Sequence, residues 1–259
     1  MAKFQHYQLR TAHQQTGATL VVVLLLLVVL AAISVMVVKQ SNSSLKIAAA
    51  VQVDNVLFHA NDKAFLRFEN HAKSASASYS SSSLLNYLVN NMKLGESLIF
   101  CVDSAQLSFD VNNATHQTVD GGFYAGKDNG YCNLHNPNDY NSLGKVITQL
   151  SFVLSQPLTK LNNSEQPKNL PTACMANVTG IATSLVPAMS SINQTQILQC
   201  FRHANVNMHI DKVASCLKNA GAVVSTHRQD YQLLVSTSQP NCLGAIDNIF
   251  INPTSWVEY

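Results

Sequence analysis

Residues 14–38 read QQTGATLVVVLLLLVVLAAISVMVV. A polar leader meets an apolar run at a single glycine, Gly17, and the run from 18 to 38 is 21 residues without a charge. At about 1.5 Å per helical residue that length matches a hydrocarbon core of roughly 30 Å. Lys3 and Arg10 precede the run, Lys39 follows it, and no acidic residue occurs before Asp54. This bias predicts a cytoplasmic N-terminus and an exported remainder. A secretory signal peptide has a shorter apolar core, of about 7–15 residues, and ends in a small-x-small site. Here the candidate site at Leu30-Ala31-Ala32 puts a bulky Leu where a small side chain belongs, so the segment is expected to be retained.

Outward from this stretch, no Gly or Pro occurs between Gly17 and Gly95, so nothing forces the helix to break at the membrane surface. In IAAAVQVDNVLFHANDKAFLRF, residues 47–68, Val53, Leu57, Ala60, Ala64 and Phe68 recur at three- to four-residue steps and form one apolar face. The span and this amphipathic continuation predict one long helix over 18–73, of which 18–38 is transmembrane. SASASYSSSS at 74–83 is a low-complexity break that ends it, and 74–259 is expected to be a single globular head.

Charged residues make up 12% of the chain, against about 25% in a typical soluble domain; Asn, Ser and Gln carry most of the polarity instead. The net charge of +2 comes with no Lys/Arg cluster, which argues against nucleic acid as a partner. All six cysteines, Cys101, Cys132, Cys174, Cys200, Cys216 and Cys242, follow the apolar run and none forms a CxxC pair. An even number on one side of a span points to disulfides in an oxidising compartment. Six cysteines allow 15 connectivities, and sequence does not select among them. Cys200 with Cys216 is the simple local pair, and Cys101 with Cys132 and Cys174 with Cys242 would complete one set.

Within the head, 84–92 reads as a short helix. SLIFCV and AQLSFDV, at 97–102 and 105–111, read as two strands of a hairpin. The Asn/Asp/Gly-rich region 112–144 reads as a long loop. Its residues lack the D-x-[DN]-x-[DN]-G spacing of a calcium loop, which favours solvated turns. Region 147–217 reads as mixed and more helical, most clearly at 192–201 and 213–217. AVVSTHR and YQLLVST read as two strands flanking Gln229-Asp230, followed by a last apolar stretch at 245–251. The head is thus α+β with an antiparallel sheet.

The junction Gln14-Gln15-Thr16-Gly17-Ala18-Thr19-Leu20 resembles the prepilin cleavage site of type IV pilins and type II secretion pseudopilins. The resemblance covers roughly residues 14–68 and is closest to the PilX-like minor pilins, whose start is similar to Q-x-G-A-x-L-V-V-V-L-L-L-L-V. HRQDYQLLV at 227–235 adds a second, shorter likeness. The resemblance implies a 1–17 leader removed by a prepilin peptidase between Gly17 and Ala18, and methylation of the new N-terminus. It also implies a pilin-like α+β fold with the head in the periplasm, a single pass through the inner membrane, and incorporation into a pilus fibre. Its partners would be other minor pilins, the major pilin and a tip adhesin, with roles in pilus priming, adhesion or aggregation. Major pilins carry Glu at the fifth residue after the cut; here that position is Val22. A carboxylate in the membrane is costly unless paired, so Val22 removes both the penalty and the docking contact. This points away from the repeating body of a filament. The alternatives are a type II secretion pseudopilin and a bitopic periplasmic binding or sensor module.

No enzymatic chemistry is expected. The chain has no G-x-S-x-G, no H-E-x-x-H and no glycine-rich phosphate loop. Cys200, His203, His209 and Cys216 are two sulfurs and two imidazoles, yet they lack the close pairing of structural zinc motifs, and a disulfide is the simpler outcome. The expectation is no metal and no cofactor. His227-Arg228-Gln229-Asp230 offers reactive side chains, but neighbours along a strand face opposite ways.

Overall fold

A computed structural model of the chain describes residues 16–73, 84–103, 109–119, 123–125, 130–141, 144–161, 172–190, 193–202, 212–237, 242 and 248–258. The chain divides into two compact units, 1–52 and 53–259. Helix α1, Thr16–Lys73, runs for 58 residues, as the absence of Gly and Pro after Gly17 leads one to expect. In the first unit its apolar side chains are uncovered: from Leu20 to Val38 every large hydrophobic residue is between 51% and 71% exposed. In the second unit the predicted apolar face is buried from Leu57 onward, and Val53 is half-buried. Leu57, Ala60, Ala64 and Phe68 are each 3% exposed or less, joined by Phe65, Asn61 and Ala72. The expected break at 74–83 lies outside the described residues.

The remaining elements of the second unit are α2 (Leu84–Asn90), β1 (Ser97–Cys101), β2 (Thr115–Gln117), β3 (Phe123–Ala125), β4 (Tyr140–Asn141), β5 (Val146–Lys160), β6 (Thr172–Leu185), α3 (Gln194–Phe201), α4 (Lys212–Asn219), β7 (Val224–Thr237) and β8 (Asn248–Glu258). The strands form one antiparallel sheet in the order β3-β2-β1-β5-β6-β7-β8, with β4 also pairing to β5. Strand β1 takes positions 149–153 of β5 and β4 takes 146–147, so the two share one edge of that strand.

One face of the sheet carries Leu98, Phe100, Leu150, Phe152, Ala176, Val178, Tyr231 and Leu233, packed with Phe65 and Phe68 of α1. Phe68 sits 4.2 Å from Phe152 and 5.2 Å from Tyr231, ring centre to ring centre. Burying one such ring contributes on the order of 1.5–3 kcal/mol. Gly180 makes this approach close, because a Cβ there would stand 2.9 Å from a ring carbon of Phe65 and 3.1 Å from one of Tyr231. Residues of the alternate set, Ile147 and Leu185, pack with Ile197, Phe201, Val213 and Leu217 of α3 and α4. By the alternation of strand side chains these lie on the opposite face. Helix α3 is capped by Asn193, whose side chain accepts from Thr195 N. Helix α4 ends in a Schellman motif, with Ala222 N bonded to Leu217 O, Gly221 N to Lys218 O, and Gly221 at φ 89°.

Four expectations are corrected. Region 147–217 is not mainly helical: its first part is the long β5–β6 pair. With helices on both faces, residues 146–154 are all buried, which blurs the apolar-polar alternation that marks a strand. The hairpin partner of β1 is Thr115–Gln117; Val111–Asn113 is a 3₁₀ turn capped by Asp110, and 104–108 lie outside the described residues. Region 112–144 is not a bare loop, since it supplies β2, β3 and β4. Gln229-Asp230 does not separate two strands. Strand β7 runs through it, because Gln229 turns inward to donate to Glu69 at 3.1 Å while Asp230 accepts from Thr179 Oγ1 at 2.6 Å.

Candidate functional site

The predicted processing residues all lie on α1. The helix begins at Thr16, so Gly17 and Ala18 occupy its first turn, where the amide groups have no intrahelical acceptor and glycine weakens the turn further. Residues 1–15 of the expected leader lie outside the described residues. Val22 is 61% exposed. Among the described residues this is the one helix long and apolar enough, by length and composition, to cross a membrane.

The six cysteines form three disulfides: Cys101–Cys132, Cys174–Cys242 and Cys200–Cys216. The first ties the end of β1 to the 130–141 segment, the second ties β6 to a residue between β7 and β8, and the third joins α3 to α4. Cys200 and Cys216 are therefore removed from any metal-ligating set; His203 and His209 lie outside the described residues.

Beside the Cys101–Cys132 bridge opens a cleft of about 570 Å³. The 130–141 segment contributes Asn133, His135, Asn136 and Asp139 to its lining, next to Tyr131 and Cys132, and the C-terminal end of α3 contributes Leu198 and Arg202. Pro137–Asp139 is a 3₁₀ turn capped by Asn136, whose side chain accepts from Asn138 N at 3.2 Å. The Asp139 carboxylate is 9% exposed as a residue and accepts from Asn133 N at 2.6 Å and from Asn136 Nδ2 at 2.5 Å. Burial pushes its pKa up, opposed by the Asn133 amide. Tyr140, whose hydroxyl donates to Leu134 O at 3.0 Å, is raised by burial and then by Asp139. From the sequence alone this Asn/Asp-rich region reads as solvated turns. The signal that Asp139 is buried exists only in its placement between a disulfide and a helix.

A second polar cluster is enclosed. His116 Nε2 lies 2.9 Å from Glu96 Oε2 and Tyr87 OH lies 2.9 Å from His116 Nδ1. Glu96 Oε2 also accepts from Lys93 N at 2.7 Å. Burial raises the Tyr87 phenol, with Glu96 adding to it. The chain of contacts ties α2 to β2 and to the residue before β1. His227 and Gln229 of the HRQD stretch face α1: His227 stacks edge-on with Phe58 at 4.7 Å. Arg228 pairs with Asp230 on the other side, so the four side chains do not converge.

These features define an α+β chain with one long apolar N-terminal helix, an antiparallel sheet and three disulfides. No protein-family model, no curated protein and no solved structure matches the chain.

Proposed function

We propose that this chain is a minor pilin of the PilX-like kind, a structural subunit trimmed after Gly17 and assembled into a type IV pilus through its apolar helix. The observation that carries the reading is the continuity of α1. One unbroken helix begins at the Gly17 junction, presents an uncovered apolar surface over residues 20–38 and continues into a face buried on its own sheet. An apolar surface of that length needs lipid or other helices around it, and a filament built of subunits supplies the second after the membrane supplies the first. Three disulfides suit a head exported to the periplasm. The partners of the helix are other minor pilins and the major pilin, and a tip adhesin is the partner of the head. Val22, in place of a carboxylate, directs the subunit to a priming or tip position.

The test is the N-terminal mass of the mature chain made with and without a prepilin peptidase, beside a Gly17→Val variant. The expected result is loss of residues 1–17 and a methylated Ala18 only with active peptidase, and no cleavage of the variant. An intact N-terminus in the presence of active peptidase overturns the reading.

A further inference from the structure

The cleft beside Cys101–Cys132 is lined by a cation and a carboxylate that do not meet. Asp139 has no salt bridge to Arg202 within 4.0 Å, and among the described residues the Arg202 guanidinium makes no hydrogen bond or ion pair. Arg202 is exposed at the C-cap of α3. Asp139 is buried and held in place by two donors of its own segment, which leaves further lone pairs on each oxygen. Asn133 uses its carboxamide oxygen to accept from His135 N at 3.0 Å, leaving its amide group as a donor. The exposed His135 ring and the half-buried Leu198 also line the cleft.

This pairing selects a ligand class. A small anion is drawn to Arg202 and repelled by Asp139, and a small cation meets the reverse. A neutral polyhydroxyl ring suits both at once, because each hydroxyl donates as well as accepts. One hydroxyl gives its proton to the carboxylate while another takes a bond from the guanidinium, and both bonds are strengthened by the charge on the protein side. Leu198 offers an apolar patch to the C–H face of such a ring. The volume lies inside the roughly 300–1,000 Å³ range of small-ligand sites. The bonds inside the 133–139 turn and the Cys101–Cys132 disulfide beside the cleft hold the site in shape before any ligand arrives, which lowers the ordering cost of binding. We propose that this cleft binds a neutral sugar, with Arg202 and Asp139 bridged by its hydroxyls. The site lies wholly in the second unit and stands independently of the N-terminal processing proposed above.

The experiment uses the full chain in lipid nanodiscs. It is screened against immobilised neutral mono- and disaccharides containing glucose, galactose, mannose and N-acetylhexosamines, with N-acetylneuraminic acid and inorganic phosphate as anionic probes. At least one neutral sugar is expected to bind and to shift the NMR signals of residues 133–139 and 198–202. Arg202→Ala and His135→Ala change exposed side chains and leave the fold intact; Arg202→Ala is expected to weaken binding about tenfold or more, as loss of a charge-assisted bond does. Asp139→Asn is the companion variant, checked for folding by its circular dichroism. Binding of no neutral sugar, binding of the anionic probes alone, or full affinity in Arg202→Ala each overturns the proposal.

Discussion

Asn61 Oδ1 accepts a hydrogen bond from Ser184 Oγ at 2.7 Å across 123 positions of the chain, and both residues have 0% exposure. The contact is one link in a buried chain between α1 and the sheet. Asn141 Nδ2 donates to Thr148 Oγ1 at 2.8 Å, Thr148 and Ser184 hydroxyls are 2.7 Å apart, and Asn61 Nδ2 donates to Ser225 O at 3.2 Å. Since Ser184 spends its only proton on Asn61, Thr148 is the donor to Ser184. Every donation then runs one way, from Asn141 through to Ser225, an arrangement in which successive bonds reinforce one another.

Breaking that chain is expected to be costly and non-additive. Asn61→Ala and Ser184→Ala should each destabilise the folded head by about 1–3 kcal/mol. The double variant should fall short of their sum by about 1 kcal/mol, because one removed partner already idles the other. Chemical denaturation of the full chain in detergent, followed by circular dichroism, measures all three. Strict additivity would show that the two side chains are not coupled.

Two glycines separate steric from conformational cost. A Cβ on Gly130 would stand 2.0 Å from Ile99 O and 2.3 Å from Thr115 N, both backbone atoms, and Gly130 N already donates to Thr115 Oγ1. Gly130→Ala should therefore displace β1 from β2 and cost more than about 4 kcal/mol, the range of exceptional substitutions. Gly144 has φ 75° and open space around its Cβ position, so Gly144→Ala should cost only about 1 kcal/mol of backbone strain. Equal losses for the two would contradict the packing described around Gly130.

His71 should make the head sensitive to mild acid. Burial lowers its pKa below the ordinary value of 6.5, and Asp110 opposes the shift. A group whose folded pKa is depressed takes up its proton more readily when unfolded. Its stabilising effect is thus complete above about pH 6.5 and is lost as the pH falls through the folded value. An NMR titration of the His71 imidazole should give a midpoint below 6.5, and His71→Gln should flatten the stability profile in that window. A midpoint at or above 6.5 would remove the basis for the effect.

The disulfides should differ in weight. The bridges close sequence separations of 68 for Cys174–Cys242, 31 for Cys101–Cys132 and 16 for Cys200–Cys216. Loop-closure entropy predicts losses of about 4.4, 3.7 and 3.1 kcal/mol on replacing each pair by Ala. The decisive comparison is the order of the three midpoints in a denaturant series. If the Cys200–Cys216 variant proves the weakest, chain entropy is not what sets their contributions.

Much of the helix was legible in residues 14–73, because its evidence is local: an uncharged run, no Gly or Pro, and apolar residues at helical spacing. That pattern marks Val53, Leu57, Ala60, Ala64 and Phe68 as one apolar face; the last four are buried against the sheet and Val53 is half-buried. It passed over Asn61, one residue along on the same face, since a polar side chain reads as solvated until its partners are known. Strand β5 is hidden in the sequence for a related reason. Leu150 and Phe152 meet α1's side of the sheet, while Ile147 and Gln149, the latter bonded to Phe201 O at 3.0 Å, meet α3's side. A strand covered on both faces loses the alternation that would have announced it.

By itself the sequence determined the long apolar helix, the α+β character of the chain and the even set of cysteines after the apolar run, all of which follow from short-range spacing and composition. Which cysteines join, which strand lies beside which, and whether Asp139 is a solvated turn residue or the buried wall of a cleft were decided by tertiary structure. Those outcomes depend on contacts between segments far apart in the chain: Cys174 meets Cys242 only because β6 and β7 pair along their whole length, and no local pattern encodes that meeting.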